Sequence, residues 1–236
     1  MKLIKSILLS TVLATALTAC SDEETYTADV TAVNLIEDEI DVIWQYEDER
    51  EEWSLTDDKG LLFGEASSEK LLVQDETDRD VFGFYAIDGN TKEVEIDQTY
   101  YRFDEHADYL VYTYGLLGND DGDQKARIGA VKVTDEGLNE DKYRIIVFHT
   151  YVSDMGDVDI FVGDTKIGEA IEYGEATKFW DLSPDENVIT VKKADRPKTI
   201  AQFTISPEAG DAHVAFVVNT PSNDENILSY KVNIEK

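Results

Sequence analysis

The stretch FGEASS at residues 63–68 returns in altered form as YGEATK at residues 173–178. Three more segments recur in the same order, an apolar strand with aspartate in second place, a long apolar strand and a last strand: residues 40–44 with 158–162, 109–115 with 213–219, and 127–134 with 229–235. Four matches in one order predict a tandem repeat, in which two copies of one domain follow each other along the chain.

The pattern between these matches predicts strands. Val94 and Ile96 alternate with acidic residues, the period of two that half-buried strands show. The segment KYRIIVFHT at residues 142–150 is apolar on both faces and is typical of a central sandwich strand. No segment repeats apolar residues at helical spacing, so we expect an all-β protein with two tandem β-sandwich domains, at residues 26–137 and 141–236.

The repeated motif itself is interpreted as one strand of each domain. A glycine inside a strand marks a bulge or a close approach of another backbone, so we expect packing to require it. The first copy is longer, because Asp41 to Gly64 spans 23 positions whereas Asp159 to Gly174 spans 15. The extra residues belong to the stretch EDEREEWSLTDD, which contains Trp53. If the shared part is scaffold, specificity is predicted to lie in this insertion.

The first twenty residues, MKLIKSILLSTVLATALTAC, have the features of an export signal. Two lysines precede an apolar run that is too short for a comfortable membrane span. The ending Leu-Thr-Ala-Cys resembles the lipobox of bacterial lipoproteins, which implies cleavage before Cys20 and acylation, as with palmitate, of its thiol and new amine. Residues 1–19 would then be a signal peptide and residues 20–25 an acidic tether. The alternative is a cleaved signal that happens to end in cysteine.

The resemblance also implies a cellular location, because a lipid anchor would hold the protein in the cell envelope. Ser21 stands where an aspartate would hold a lipoprotein at the inner membrane, which points to the outer membrane and leaves the periplasmic or surface face open. Cleavage would remove Lys2 and Lys5 and no acid, so the formal charge would move from −30 to −32. Such a charge repels nucleic acid and leaves an envelope protein or a glycan as partner.

The second half resembles the bacterial secreted family called domain of unknown function 4397. The resemblance rests on His149 at a strand end, the hairpin VDIFVG at residues 158–163 and Tyr173 before a glycine. It covers the second domain well and the first loosely, where Asn34 replaces the histidine. It implies an immunoglobulin-like sandwich in envelope or extracellular proteins and assigns no catalytic residue.

Motifs of the common enzymes are absent from the sequence. There is no G-x-S-x-G, H-E-x-x-H, P-loop or G-x-G-x-x-G, and the one cysteine is Cys20. Pairs of carboxylates indicate no particular site in a chain with 51 acids. We therefore predict a non-catalytic binding or structural module without a cofactor. A carbohydrate- or calcium-dependent adhesion module and an unrecognised hydrolase remain as alternatives.

Three aromatic residues are the candidate ligand contacts, Trp53, Tyr100 and Tyr101. Aromatic faces bind sugars and peptides, and two adjacent strand tyrosines point to opposite faces, so one is expected to be exposed. The alternative for Trp53 is packing against the core of its own domain or between the domains.

An acidic loop is the candidate metal site. Ca²⁺ binds six to eight oxygens, and the loop offers Asn119, Asp120, Asp121 and Asp123. The spacing does not fit an EF-hand, so we predict a weak calcium site, with a solvated acidic loop as the alternative.

Overall fold

The computed structural model describes residues 26–46, 52–74, 81–118, 122, 124–151, 156–194, 196, 198–219 and 225–232. Every regular element in these ranges is a strand, which confirms the all-β prediction. Within the same ranges, no helix is long and apolar enough to cross a membrane. Cys20 and the rest of residues 1–25 lie outside the described part.

The first eight strands form the first domain: β1 (Tyr26–Asn34), β2 (Ile40–Tyr46), β3 (Glu52–Ser54), β4 (Lys70–Gln74), β5 (Val81–Asp88), β6 (Val94–Arg102), β7 (Ala107–Tyr114) and β8 (Arg127–Val133). They pair as two four-stranded sheets with the orders β4-β1-β7-β8 and β3-β2-β5-β6. The inner faces enclose a core that includes Phe82, Phe84 and Phe103.

The next eight strands form the second domain: β9 (Tyr143–His149), β10 (Val158–Val162), β11 (Thr165–Ile171), β12 (Trp180–Leu182), β13 (Val188–Lys193), β14 (Thr199–Thr204), β15 (Ala212–Asn219) and β16 (Glu225–Val232). The sheet orders β12-β9-β15-β16 and β11-β10-β13-β14 are those of the first domain with eight added to each strand number. This correspondence confirms two tandem sandwiches. The last strand begins at Glu225, earlier than the expected residue 229.

A third apolar cluster lies between the domains. It joins residues of β1, β7 and β8 to residues of β9, β15 and β16. The sheet β4-β1-β7-β8 of the first domain therefore faces the sheet β12-β9-β15-β16 of the second. The ring centroid of Tyr112 lies 4.8 Å from that of Phe216 and 5.1 Å from that of Phe148. This packing explains why strand β9 is apolar on both faces. Ile145 faces the core of its own domain, and Ile146 faces the other domain.

Arg144 holds the chain that connects the domains. Its guanidinium donates to the carbonyl oxygens of Thr134 and Glu136 at 2.8 and 3.1 Å, and also to both carboxylate oxygens of Asp181. The bidentate pair with Asp181 orients the guanidinium, and the connection is thereby anchored to the second domain.

The repeated FGEASS and YGEATK segments are turns, which corrects the prediction that they are strands. Gly64 and Gly174 have φ angles of +79° and +83°, and Ala66 and Ala176 make only isolated bridges. An added Cβ would meet its nearest neighbour at 3.4 Å at Gly64 and 3.6 Å at Gly174, so there is room for it. Left-handed backbone, and not close packing, therefore favours glycine at both positions.

The motif makes the same hydrogen bonds in both domains. Each glycine N–H donates to the last carbonyl of β1 or β9, at 2.8 and 2.7 Å. The hydroxyls of Ser67 and Thr177 accept backbone N–H bonds from the same strands at 2.9 and 3.1 Å. The Glu65 and Glu175 carboxylates accept the N–H of the residue three positions earlier, at 3.0 and 3.4 Å. A local hydrogen-bonding pattern thus explains why the same residues recur in both motifs.

Each turn also touches the other domain. The Tyr230 hydroxyl donates to the Gly64 carbonyl at 2.9 Å, and the Tyr173 ring lies 6.0 Å from the Tyr114 ring. The two motifs therefore sit at the two sides of one interface.

One strand departs from the predicted alternation. Ile96 is 4% exposed as expected, whereas Val94 is 61% exposed. The register of β5 with β6 shifts between Ala86 and Ile87, so Val94 pairs with the outward-facing Ile87. The extra residue lies between Val94 and Ile96, so the two side chains point to opposite faces of the sheet.

Candidate functional site

A cleft of about 640 Å³ opens along one flank of the first domain, between edge strand β6 and the connection from β7 into edge strand β8. This volume is within the range of ligand sites in proteins. The lining residues are Glu95, Ile96, Asp97, Gln98, Thr99, Tyr101, Tyr114, Leu116, Gly118, Lys125, Ala126, Arg127 and Ile128.

The β7–β8 connection is clamped at its base, and this positions the basic residues of the cleft. Leu116 N–H donates to the Gln124 carbonyl at 2.9 Å, and Ala126 N–H donates to the Leu116 carbonyl at 3.0 Å. Gly115 has a φ of +103°, and any Cβ there would collide with the Lys125 carbonyl. Glycine allows the two chains to approach, and Arg127 then starts β8 beside the cleft.

Tyrosines form the deep part of the cleft. The Tyr101 hydroxyl donates to the Ile128 carbonyl, and burial raises its pKa to about 12, so it stays protonated at neutral pH. Tyr114 is 8% exposed and packs against Tyr173 of the second domain. Burial raises the pKa of Tyr173, and the charge of Arg127 opposes this rise in part.

Opposite charges face each other across the cleft. Exposed Glu95 and Asp97 lie on the β6 wall, and exposed Lys125 and half-buried Arg127 lie on the β8 wall. Within the described part of the chain, none of these four side chains makes a hydrogen bond or an ion pair. The arrangement can bind a ligand that carries both signs. Among the described lining residues there is no histidine, cysteine or serine, and the carboxylates are those of Glu95 and Asp97.

The structure separates the two predicted tyrosines. Tyr101 points into the cleft, whereas Tyr100 is 47% exposed on the opposite face of the sheet. There its ring lies over Gly83, whose Cβ, if present, would be 3.0 Å from the ring.

Trp53 lies on β3 and packs within its own domain. Its ring stacks on Trp44 with centroids 4.5 Å apart, and it is half-buried against the first core. In the first domain Trp44 pairs with Trp53, and in the second domain the equivalent Val162 pairs with Thr165. The chain between the paired residues is longer in the first domain, so most of the extra residues fall in the β2–β3 connection. The tryptophan therefore occupies a strand position that both domains share, and the insertion precedes it.

The acidic loop residues Asn119, Asp120, Asp121 and Asp123 lie outside the described residues, as does Cys20. In the ranges that the structure describes, no group of three or more metal-ligating side chains occurs.

Sequence reasoning missed Lys125 and Arg127. The available signal was the segment KAR at residues 125–127, two cations in three positions of a chain with a net charge of −30. What makes them a site is the opposing wall on β6, about thirty residues earlier in the chain, and this is not visible in sequence.

The second domain carries different side chains at the corresponding positions. In the first domain Thr99 pairs with Phe84. In the second domain Phe203 pairs in the same way with Ile189, so Phe203 takes the place of Thr99. Val218 takes the place of Tyr114, because the parallel pairing of β7 with β1 and of β15 with β9 has the same register. Strand β14 also contacts β16 more extensively than β6 contacts β8. The cleft is thus built from residues that the repeat does not share.

The chain matches no protein-family model and no curated protein. Among solved structures it is similar to CBMbc (family CBM26) from Eubacterium rectale Amy13K, solved in complex with maltoheptaose. The match covers 88% of this chain and 97% of that chain, with 9% identity and a TM-score of 0.27. A likeness at this level carries no argument about the ligand of this protein.

Proposed function

We propose that the protein is a non-catalytic binding module, tethered to the bacterial envelope by lipid on Cys20, that holds its ligand in the cleft of the first domain. One observation carries the proposal: a cleft of about 640 Å³ is lined by two tyrosines and by four charged side chains. The four charged side chains have no partners among the described residues. Charged groups that lack partners in a concave site are available to a ligand. The relation of the second domain to the secreted family named above is part of this proposal.

The tether follows from the export signal and its final cysteine. A single acyl chain anchors weakly, whereas two or more hold a protein stably on a membrane. Replacing the thiol tests this point. The Cys20→Ser variant is expected to leave the membrane fraction for the soluble periplasmic fraction, as measured by fractionation of cells. Unchanged membrane partitioning would refute the lipid anchor.

The cleft is tested by crosslinking in intact envelopes. A photo-reactive amino acid placed at Leu116, which lines the cleft and is 44% exposed, should capture a species that is not captured from Leu71. Leu71 is a matched control because it is 57% exposed on β4, at the other edge of the same sheet.

A blocking variant completes this test. Thr99→Phe copies the second domain and fills the cleft, so it should abolish the capture from Leu116. Thr204→Phe, the same change at an exposed position of β14, should leave it intact. Identical captures from Leu116 and Leu71 would show that the cleft is not the binding site.

A carbohydrate is the second candidate ligand, because Tyr101 and Tyr114 lie beside carboxylates in the same cleft. Aromatic faces pack against sugar rings, and carboxylates accept hydrogen bonds from hydroxyl groups.

A further inference from the structure

We infer that the ligand is a short peptide segment that carries both a carboxylate and a cationic group, with the carboxylate at Arg127 and Lys125 and the cation at Glu95 and Asp97. This inference rests on the proposed function, since it names the ligand class of the same cleft.

Arg127 is the strongest indication of an anionic group. It is half-buried, and it makes no ion pair in the described part of a chain that contains 51 acidic residues. A partly desolvated guanidinium is stabilised by a carboxylate, which it can bind through two parallel hydrogen bonds. Lys125 adds a second cation two residues away on the same wall. A ligand carboxylate would supply the missing partner.

The opposite wall requires a positive group. Glu95 and Asp97 line the cleft from β6, and neither is neutralised by Lys125 or Arg127 across the gap. An anionic ligand without a cation would meet these carboxylates and the net charge of −30. A ligand that carries both signs has no net repulsion to overcome and pairs with both walls.

The β6 wall also favours a polypeptide. Strand β6 is at the edge of its sheet, so one side of its backbone has no partner among the described strands. Residues 95–99 of this edge line the cleft. An extended peptide can pair with such an edge through its own backbone while its side chains reach the pockets on either side. A neutral sugar would leave the four charges unpaired.

The test is isothermal titration of the full lipidated chain in detergent micelles at low salt. The probes are acetylated and amidated peptides in which lysine and aspartate are separated by no, one or two alanines. For each spacing, analogues with asparagine for aspartate, glutamine for lysine, or both changes provide the uncharged controls. A neutral maltooligosaccharide is titrated in parallel.

At least one spacing is expected to bind, with two separate charge effects. Loss of the peptide carboxylate should weaken binding about tenfold or more, because it removes a charge-assisted pair with a half-buried arginine. Loss of the peptide cation should weaken binding about fivefold, because Glu95 and Asp97 are exposed.

Protein variants assign each charge to its wall. Arg127→Gln should abolish the preference for aspartate over asparagine and keep the preference for lysine. Glu95→Gln with Asp97→Asn should do the reverse. Circular dichroism melting of each variant confirms that it is folded, and Lys231→Gln, a change on the second domain, should alter neither preference.

The outcomes separate this inference from the proposed function. If all charge forms bind equally, or only the oligosaccharide binds, and Thr99→Phe abolishes that binding, the cleft is the site and the peptide inference is wrong. If no probe binds, the peptide inference is wrong, and crosslinking from Leu116 decides on the cleft independently. If Thr99→Phe binds the peptides as the wild type does, the cleft itself is not the binding site.

Discussion

The two domains share a backbone plan and differ in what their flanks present to solvent. Both have the same strand order, the same parallel pairing of first and seventh strand, and the same glycine turn against the partner domain. Only the first has Thr99 and Tyr114 where the second has Phe203 and Val218. The difference indicates that the two domains share a backbone frame, and that side chains particular to the first domain line a cleft on one flank of it.

The outer faces differ in a similar way. In the second domain Phe161 is covered by Lys166 and Lys192, whose ammonium groups lie 5.7 and 4.5 Å from the ring centroid. The corresponding strand positions in the first domain carry Ile43, Ser54 and Ile87. The two copies have therefore diverged at these outer-face positions as well as on the flank that carries the cleft.

The largest expected effect tests the shared layer between the domains. Phe216 is fully buried and touches Tyr112 across the interface. Phe216→Ala should lower the free energy of unfolding by about 3–5 kcal/mol, because it leaves a cavity in packed surroundings. Guanidinium titration measures the loss, and hydrogen exchange should show faster opening of β7 as well as β15. Phe203→Ala, at a residue 38% exposed, is the control and should cost much less. Faster exchange in the second domain alone would contradict a shared layer.

The second effect compares the two aspartates in second place of their strands. Asp41 is 1% exposed and accepts hydrogen bonds from the hydroxyls of Ser54 and Thr56. Asp41→Asn should cost about 1.5–3 kcal/mol, the range for hydrogen bonds to charged groups. Asp159→Asn should cost less, since the Asp159 side chain is 17% exposed and solvent weakens its pair with Lys166. Equal losses in thermal melts would show that burial does not distinguish the two positions.

The third effect tests whether the two turns are equivalent. Gly64→Ala and Gly174→Ala should each cost about 1–2 kcal/mol, because both impose a side chain on left-handed backbone. Asparagine tolerates this conformation better, so Gly64→Asn and Gly174→Asn should cost less. Chemical denaturation of the four variants gives the comparison. An alanine cost well above this range at one turn alone would indicate that packing, and not φ, requires glycine there.

The smallest effect concerns the position where Asn34 corresponds to His149. Burial lowers the pKa of His149, an effect that the Gly156 carbonyl and Asp157 only partly oppose. The unfolded chain therefore binds a proton near pH 6.5 that the folded chain does not. The stability that neutral His149 confers is present above pH 6.5 and is lost as the pH falls toward the lowered value.

His149→Asn copies the first domain and removes this dependence. Between pH 7 and 5.5 the stability difference, wild type minus variant, should fall by up to about 1.4 kcal/mol per pH unit. Urea titrations at matched pH measure it, and the difference cancels the changes common to both proteins. A difference that rises as the pH falls would contradict the buried neutral histidine.

Local pattern predicted much of the fold and little of the site. The matches between 40–44 and 158–162 and between 109–115 and 213–219 identified equivalent strands, because period and composition are local properties. Local pattern failed at Val94, where a register shift set by the neighbouring strand turns the side chain outward. It also failed at the motif, since a strand bulge and a left-handed turn both favour glycine and the letters do not distinguish them.

The sequence by itself determined that the protein is an acidic, all-β tandem repeat, because strand period and composition are readable from residues close together in the chain. It also predicts an export signal that ends in a cysteine. Only the tertiary structure decided that strands apolar on both faces pack between two domains, and that Glu95 and Asp97 oppose Lys125 and Arg127 across a cleft. Alternation records that a face is buried, but not which surface buries it. The position of one edge strand against another depends on sheet order and twist, which the whole chain sets together.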